Sequence, residues 1–89
     1  MLQIAFTPDA KKDLAAWQKA DRRTAEKLAS LLAEIAASPY VGRGQPEQLR
    51  HELSGYWSRR INIKDRIVYR VDEQDGIVTI YSLRGHYSR

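Results

Sequence analysis

Hydrophobic and polar positions change their period twice along the chain. Leu2, Ile4 and Phe6 alternate with Gln3 and Ala5, a period of two that predicts a short strand over residues 2–6. The period then lengthens. Thr7-Pro8-Asp9 reads as a helix start: Thr7 as N-cap, Pro8 at the first helical position, Asp9 favoured by the helix dipole. The first helix should run to about Lys19, with Ala10, Leu14 and Trp17 on one face and Trp17 as a core anchor. Asp21 is the next N-cap. From Arg22 onward Ala25, Leu28, Leu31, Leu32, Ile35 and Ala36 form a helical stripe, which leaves Lys27, Ser30 and Glu34 on the outer face. Ser38-Pro39 ends this second helix, because proline cannot continue it. The short Ala20-Asp21 link makes the pair an antiparallel hairpin.

After a loop from Tyr40 to Pro46, marked by Gly42 and Gly44, the period of two returns. Leu49–Leu53 is expected as a short strand, Ser54-Gly55 as a turn, and Trp57–Ile63 as a second strand. Lys64-Asp65 turns the chain. Ile67, Tyr69 and Val71 then alternate with Arg66, Val68 and Arg70. Glu73-Gln74-Asp75-Gly76 is a hairpin loop, and Ile77–Leu83 the last strand, rich in β-branched and aromatic residues. The expected fold is α+β over residues 1–89 as one domain: an N-terminal strand, an antiparallel helical hairpin, then an antiparallel β-meander. The helices must cover one face of the sheet, which leaves the other face open.

Strand parity sorts the side chains between those faces. With Ile67, Tyr69 and Val71 toward the helices, Arg66, Val68 and Arg70 point outward. With Ile61 and Ile63 as core positions, Ser58, Arg60 and Asn62 join them on the open face. Arg59 then points toward the helices, where it needs a rim position or a carboxylate. Tyr69 and Tyr81 are expected in the core. Tyr56 and Trp57 are candidate stacking residues, with at least one of them buried.

Charge sharpens this picture. The net charge is +4, and its excess is local: residues 43–70 carry seven Lys/Arg (Arg43, Arg50, Arg59, Arg60, Lys64, Arg66, Arg70) against three acids (Glu47, Glu52, Asp65). Arginine dominates, and its planar fork suits bidentate phosphate contacts. A solvated face would explain the charge alone; nucleic acid or an acidic protein is the sharper reading. No cysteine is present, which removes disulfides and thiolate metal sites and fits a reducing cytoplasm. No apolar run is long enough to span a membrane, and the N-terminus lacks a signal-peptide pattern.

The open face gathers a set of chemical groups. Glu47 enters from the strand before Trp57, Arg60 and Arg66 share the face, and the last strand can return His86 and Tyr87 beside them. A carboxylate, two guanidinium groups, a histidine and a tyrosine supply what RNA cleavage without a metal or other cofactor requires. A base takes the ribose 2′-hydroxyl proton, a cation neutralises the phosphate, and an acid protonates the leaving oxygen. His51 is a rival histidine, better read as a surface or edge residue. Each member alone has a plainer reading as a loop-fixing ion pair or a chain-end residue, and composition alone stops at a small basic α+β domain.

The segment from Ser38 to Ile61, including Pro46-Glu47-Gln48-Leu49 and Leu53-Ser54-Gly55-Tyr56-Trp57-Ser58-Arg59-Arg60-Ile61, together with Arg66-Ile67-Val68-Tyr69 and His86-Tyr87, strongly resembles the Txe/YoeB family of bacterial toxins. That family lies in the RelE/ParE superfamily of toxin–antitoxin systems, with a RelE-like fold. The resemblance implies a ribosome-dependent endoribonuclease that cuts messenger RNA in the A site of the 30S subunit. It implies Glu47 as general base, Arg66 as the phosphate-stabilising arginine with Arg60 as a second, His86 as general acid, and Tyr87 as the matching tyrosine. Arg50, Arg43 and Lys64 are candidate RNA contacts. The implied partners are a Phd/YefM-type antitoxin with an acidic C-terminal segment and a second copy of the chain. Two features depart from the family pattern: the Ser88-Arg89 extension, and a longer hairpin from Asp72 to Gly76. The alternative from another class is a ParE-like toxin that binds gyrase and does no chemistry; a supercoiling assay separates the two.

Overall fold

The computed structural model describes residues 1–85, so the expectations for His86, Tyr87 and the Ser88-Arg89 extension lie outside the described residues. The elements are β1 (Gln3–Phe6), α1 (Pro8–Ala20), α2 (Arg22–Ala37), β2 (Glu47–Gln48), a 3-10 turn at His51–Leu53, β3 (Trp57–Arg60), β4 (Arg66–Asp72) and β5 (Ile77–Ser82). They form one five-stranded sheet in the order β1-β5-β4-β3-β2. From β5 through β2 every neighbour is antiparallel, whereas β1 pairs with β5 in parallel, Ile4 opposite Val78 and Phe6 opposite Ile80. The sheet is therefore mixed, because the first strand closes onto the last.

The helix ends form as their sequences dictate. Thr7 Oγ1 accepts from the Ala10 amide at 3.1 Å and donates to the Tyr81 carbonyl at 3.1 Å, so one hydroxyl caps α1 and ties it to β5. Asp21 serves both helices: its amide donates to the Trp17 carbonyl, and its carboxylate accepts from the Thr24 amide and hydroxyl. Those bonds, led by the Thr24 hydroxyl, hold the Asp21 carboxyl below its ordinary pKa. Leu28, Leu31 and Ile35 of α2 pack on Ile67, Tyr69 and Ile80 of the sheet. Each is at most 1% exposed, which places the core between the helices and one sheet face.

Four expectations need correction. Leu49–Leu53 is not a strand. Only Glu47 and Gln48 pair with β3; the chain then turns with His51 in the left-handed region (φ 58°) and closes the 3-10 turn by Leu53 N–H to Arg50 O and Ser54 N–H to His51 O. Trp57–Ile63 ends as a strand at Arg60, because Asn62 Oδ1 accepts from the Lys64 and Asp65 amides and bends the chain. Ile61 is buried as expected, but Ile63 stands on that bend, 94% exposed. Tyr81 is not core: it is half-buried on the open face. A register shift between Val68 and Tyr69 pairs Val68 with Ser82 and Tyr69 with Ile80, so Tyr81 is the extra residue of a β-bulge. The bulge lets Ile80 and Leu83, three residues apart, both reach the core. Glu34 does not lie on a solvated outer face either, since it is half-buried against two arginines.

Candidate active site

Two consecutive arginines organise the site by pointing in opposite directions. Arg59 pairs with Ile67 across the β3–β4 ladder and so faces the helices, as parity requires. It is fully buried. Its Nη1 lies 3.4 Å from Glu34 Oε1, and its Nη2 donates to the carbonyls of Ser38 (2.9 Å) and Val41 (3.2 Å). The loop from residue 38 to residue 46 is thereby wrapped around one guanidinium. Tyr69 supports it from below by donating to the Pro39 carbonyl at 2.6 Å, and burial pushes the Tyr69 phenol pKa up. Tyr40 stacks at a tilt on Trp57 (4.9 Å between centroids) and donates to Glu73, which raises its phenol to about 12. Gly44 makes the close approach possible. Its φ is 86°, its carbonyl accepts from the Arg60 amide at 2.7 Å, and a Cβ there would meet Arg59 Cγ at 2.7 Å and the Arg60 carbonyl at 2.8 Å. This loop delivers the chain into β2, and so it delivers Glu47.

Glu47 is exposed and stands opposite Ser58, which stands opposite Val68. One step along, Arg60 is directly opposite Arg66. Ser58 and Arg60 share a face by alternation, as do Arg66 and Val68. Glu47, Arg60 and Arg66 therefore emerge together on the side away from the helices. Strand spacing puts the Cα atoms of Glu47 and Arg66 roughly 12 Å apart. Two long side chains at that separation can both reach a group lying between them. Like charges directly opposite repel, and an anion held between Arg60 and Arg66 relieves that repulsion. Ser58, in the row between Glu47 and Val68, is buried, and its hydroxyl has no hydrogen-bond partner among the described residues.

The C-terminal end of the described chain is clamped beside Arg66. On α1, Asp13 accepts from the Leu83 amide at 2.9 Å and Trp17 Nε1 donates to the Leu83 carbonyl at 2.7 Å. These two residues are one helical turn apart, and between them they take both backbone groups of Leu83. Asp65 then accepts from the Gly85 amide at 2.7 Å, and the Gly85 carbonyl accepts from the Arg66 amide at 3.1 Å. Trp17 was expected as a core anchor; it packs against the core and also fixes this exit from β5.

The other candidate residues scatter. Arg43 is turned toward α2: its Nε lies 2.6 Å from Glu34 Oε2, its Nη2 donates to Ser30, and its backbone amide donates to Glu34 Oε1. The Arg43 amide and guanidinium hold the Glu34 carboxyl below its ordinary pKa. Arg50 is exposed at the start of the 3-10 turn, and Lys64 is exposed on the bend before β4, beside a cleft also lined by Asp13, Asp65 and Arg84. The sequence reading gave no functional part to Asp13 or Asp65 and assigned the bulged Tyr81 to the core. The spacing of three between Ile80 and Leu83 was the available sign of the bulge.

Comparison with known proteins identifies relatives of this chain. The family described as the YoeB-like toxin of bacterial type II toxin-antitoxin systems matches residues 6–87. The toxin YoeB of Mycobacterium bovis is 46% identical over 87 residues, covering 98% of this chain and all of the relative. The solved YoeB/ParE toxin of Agrobacterium tumefaciens superposes with a TM-score of 0.92 at 35% identity, covering 97% of this chain and 100% of that one. The Staphylococcus aureus toxin has been solved as a YoeB dimer (TM-score 0.86, 40% identity, 97% and 98% covered). It has also been solved in a heterotetrameric YoeB-YefM toxin-antitoxin complex (TM-score 0.85, 40% identity, 98% and 99% covered).

Proposed function

The chain belongs to the YoeB-like toxins of type II toxin–antitoxin systems, and from that premise we propose that it is an endoribonuclease acting on messenger RNA in the ribosomal A site. The observation that carries the reading is the register that sets Glu47, Arg60 and Arg66 on one open face. The clamp on Gly85, the residue before His86, supports it.

The chemistry follows from the residue types. Glu47 accepts the proton of the ribose 2′-hydroxyl. The freed 2′-oxygen attacks the adjacent phosphorus, and the bond to the 5′-oxygen breaks. Arg66, with Arg60 beside it, offsets the negative charge that gathers on the phosphoryl oxygens. His86 supplies the proton to the leaving 5′-oxygen, a task suited to an imidazole side chain. The products are a 2′,3′-cyclic phosphate and a 5′-hydroxyl, so atoms and protons balance with no further reactant. Tyr87 stacks the splayed base. Arg50 and Lys64 contact flanking phosphates. Arg43, committed to Glu34 and Ser30, serves as an anchor of the loop.

Residues 1–89 act as one domain in this reading. Its partners are a second copy of the chain and a YefM-like antitoxin whose acidic segment covers the arginine face. None of the helices among the described residues is long and apolar enough to cross a membrane. Mapping of RNA 5′ ends after induced expression tests the proposal. New ends inside translated codons, lost with Glu47→Gln, are expected; intact messages in growth-arrested cells would sink it.

A further inference from the structure

The open face carries a third row of side chains that the cleavage chemistry leaves unused. One step beyond the Trp57–Tyr69 pair, Tyr56 comes level with Arg70, and Arg70 pairs with Thr79. The Arg70 guanidinium carbon lies 5.8 Å from the centre of the Tyr56 ring. The Tyr56 and Tyr81 rings meet edge to face, 4.9 Å between centroids and 72° between planes. Tyr81 reaches this face by alternation from Ile80, which is buried in the core. Both rings are half-buried, and Arg70 is exposed. Arg70, Thr79 and Tyr81 also line a cleft together with Asp72, Glu73 and Gln74.

This chemistry does not suit a phosphate. Two carboxylates outnumber the single guanidinium, so a second anion would be repelled. It does suit a flat, neutral aromatic ring with donors and acceptors along its edge. The tyrosine rings and the guanidinium plane offer stacking surfaces. The hydroxyl, amide, carboxylate and guanidinium groups around the cleft offer edge contacts of both polarities. Position points the same way. Successive same-face residues on a strand lie about 6.6 Å apart. The arginine pair, the Glu47 row and the Tyr56 row therefore follow one another in steps comparable to a nucleotide of an extended strand.

We propose that Tyr56, Arg70 and Tyr81 form a nucleobase subsite that holds the base flanking the scissile phosphate and biases which sequences are cut. The inference rests on the RNA-cleaving reading above and goes beyond it, because nothing in acid–base cleavage needs these three residues.

The test compares RNA 5′ ends produced in cells by the full-length wild type, Arg70→Ala/Tyr81→Ala, Tyr56→Ala and Tyr56→Phe. The wild type should show a bias of fivefold or more for particular bases at one position next to the cut. In the double variant and in Tyr56→Ala, cutting should fall several-fold, and the remaining cuts should show less than twofold bias. Tyr56→Phe keeps the ring and should keep the bias. If the double variant does not fold, as read by its thermal melt, the Tyr56 pair carries the comparison. Wild-type cleavage without flanking bias, or a bias unchanged in the alanine variants, overturns the subsite and leaves the nuclease reading intact. Unchanged bias with weakened capture of the antitoxin would assign the cluster to a protein contact and equally overturn it. Absence of any wild-type cleavage removes the nuclease reading and the subsite together.

Discussion

Arg59 and Arg60 are neighbours in sequence and opposites in physical role. Arg59 lies between sheet and helices with no exposed surface, its charge set against Glu34 and two carbonyls. Arg60 lies on the open face, exposed and opposite Arg66. One is surrounded by acceptors and holds a loop in place. The other stands opposite a like charge and suits an incoming anion. The difference comes from strand parity alone, since the side chains are chemically identical. In a basic stretch, therefore, the count of arginines says less than which face each one takes.

Removing the helix-side arginine should have the largest effect on folding. Arg59→Ala leaves the Ser38 and Val41 carbonyls without their guanidinium donor, leaves Glu34 with Arg43 alone, and opens a cavity in the core. A loss of about 2–5 kcal/mol is expected by urea denaturation, as for large-to-small substitutions in a core. A loss below about 1 kcal/mol would break the comparison. Gly44→Ala comes next. Its left-handed backbone and the 2.7 Å approach to Arg59 Cγ predict a loss of about 1–3 kcal/mol, and cutting should fall with it because the loop carries Glu47.

A smaller effect is confined to acid. The Glu34 carboxyl has a folded-state pKa below its ordinary value because the Arg43 amide and guanidinium bind its ionised form. Its contribution to stability is therefore complete above the ordinary carboxylate range and is lost as pH falls through the lower folded value. Glu34→Gln should flatten the fall of melting temperature on acidification. A parallel pH profile in both proteins would contradict this. The smallest folding effect is expected at Arg60→Ala, within about 0.5 kcal/mol of the parent, although RNA cutting should drop sharply. Equal losses of stability at Arg59 and Arg60 would mean that the two faces are not distinct.

Much of this division is legible in the sequence. Thr7-Pro8-Asp9, Asp21 and the leucine stripe locate both helices, because capping and helical period are local properties. Alternation around Ile67 and Tyr69 separates Arg59 from Arg60 and Arg66. What the sequence hides is non-local or depends on a single residue. Pairing of β1 with β5 joins strands about 75 positions apart and leaves no local trace. Tyr81 alternates with buried Ile80 onto the open face rather than into the expected core, and the bulge then returns Leu83 to the core. Leu49–Leu53 looks like a strand because its leucines are separated by polar residues, but that four-residue spacing also fits the turn that forms. The grip of Asp13 and Trp17 on Leu83 joins residues 66–70 positions apart. Their helical spacing suggested only a core-facing position.

The central claim is that the open face activates a ribose 2′-hydroxyl against its own phosphate. Two messenger RNAs placed in the A site of programmed ribosomes, identical except for a 2′-deoxy sugar at the cut nucleotide, test it most directly. With purified toxin the ribose message should be cut to a 2′,3′-cyclic phosphate and a 5′-hydroxyl, and the deoxy message should stay intact. Equal cutting of both, or a product bearing a 5′-phosphate, would contradict the account.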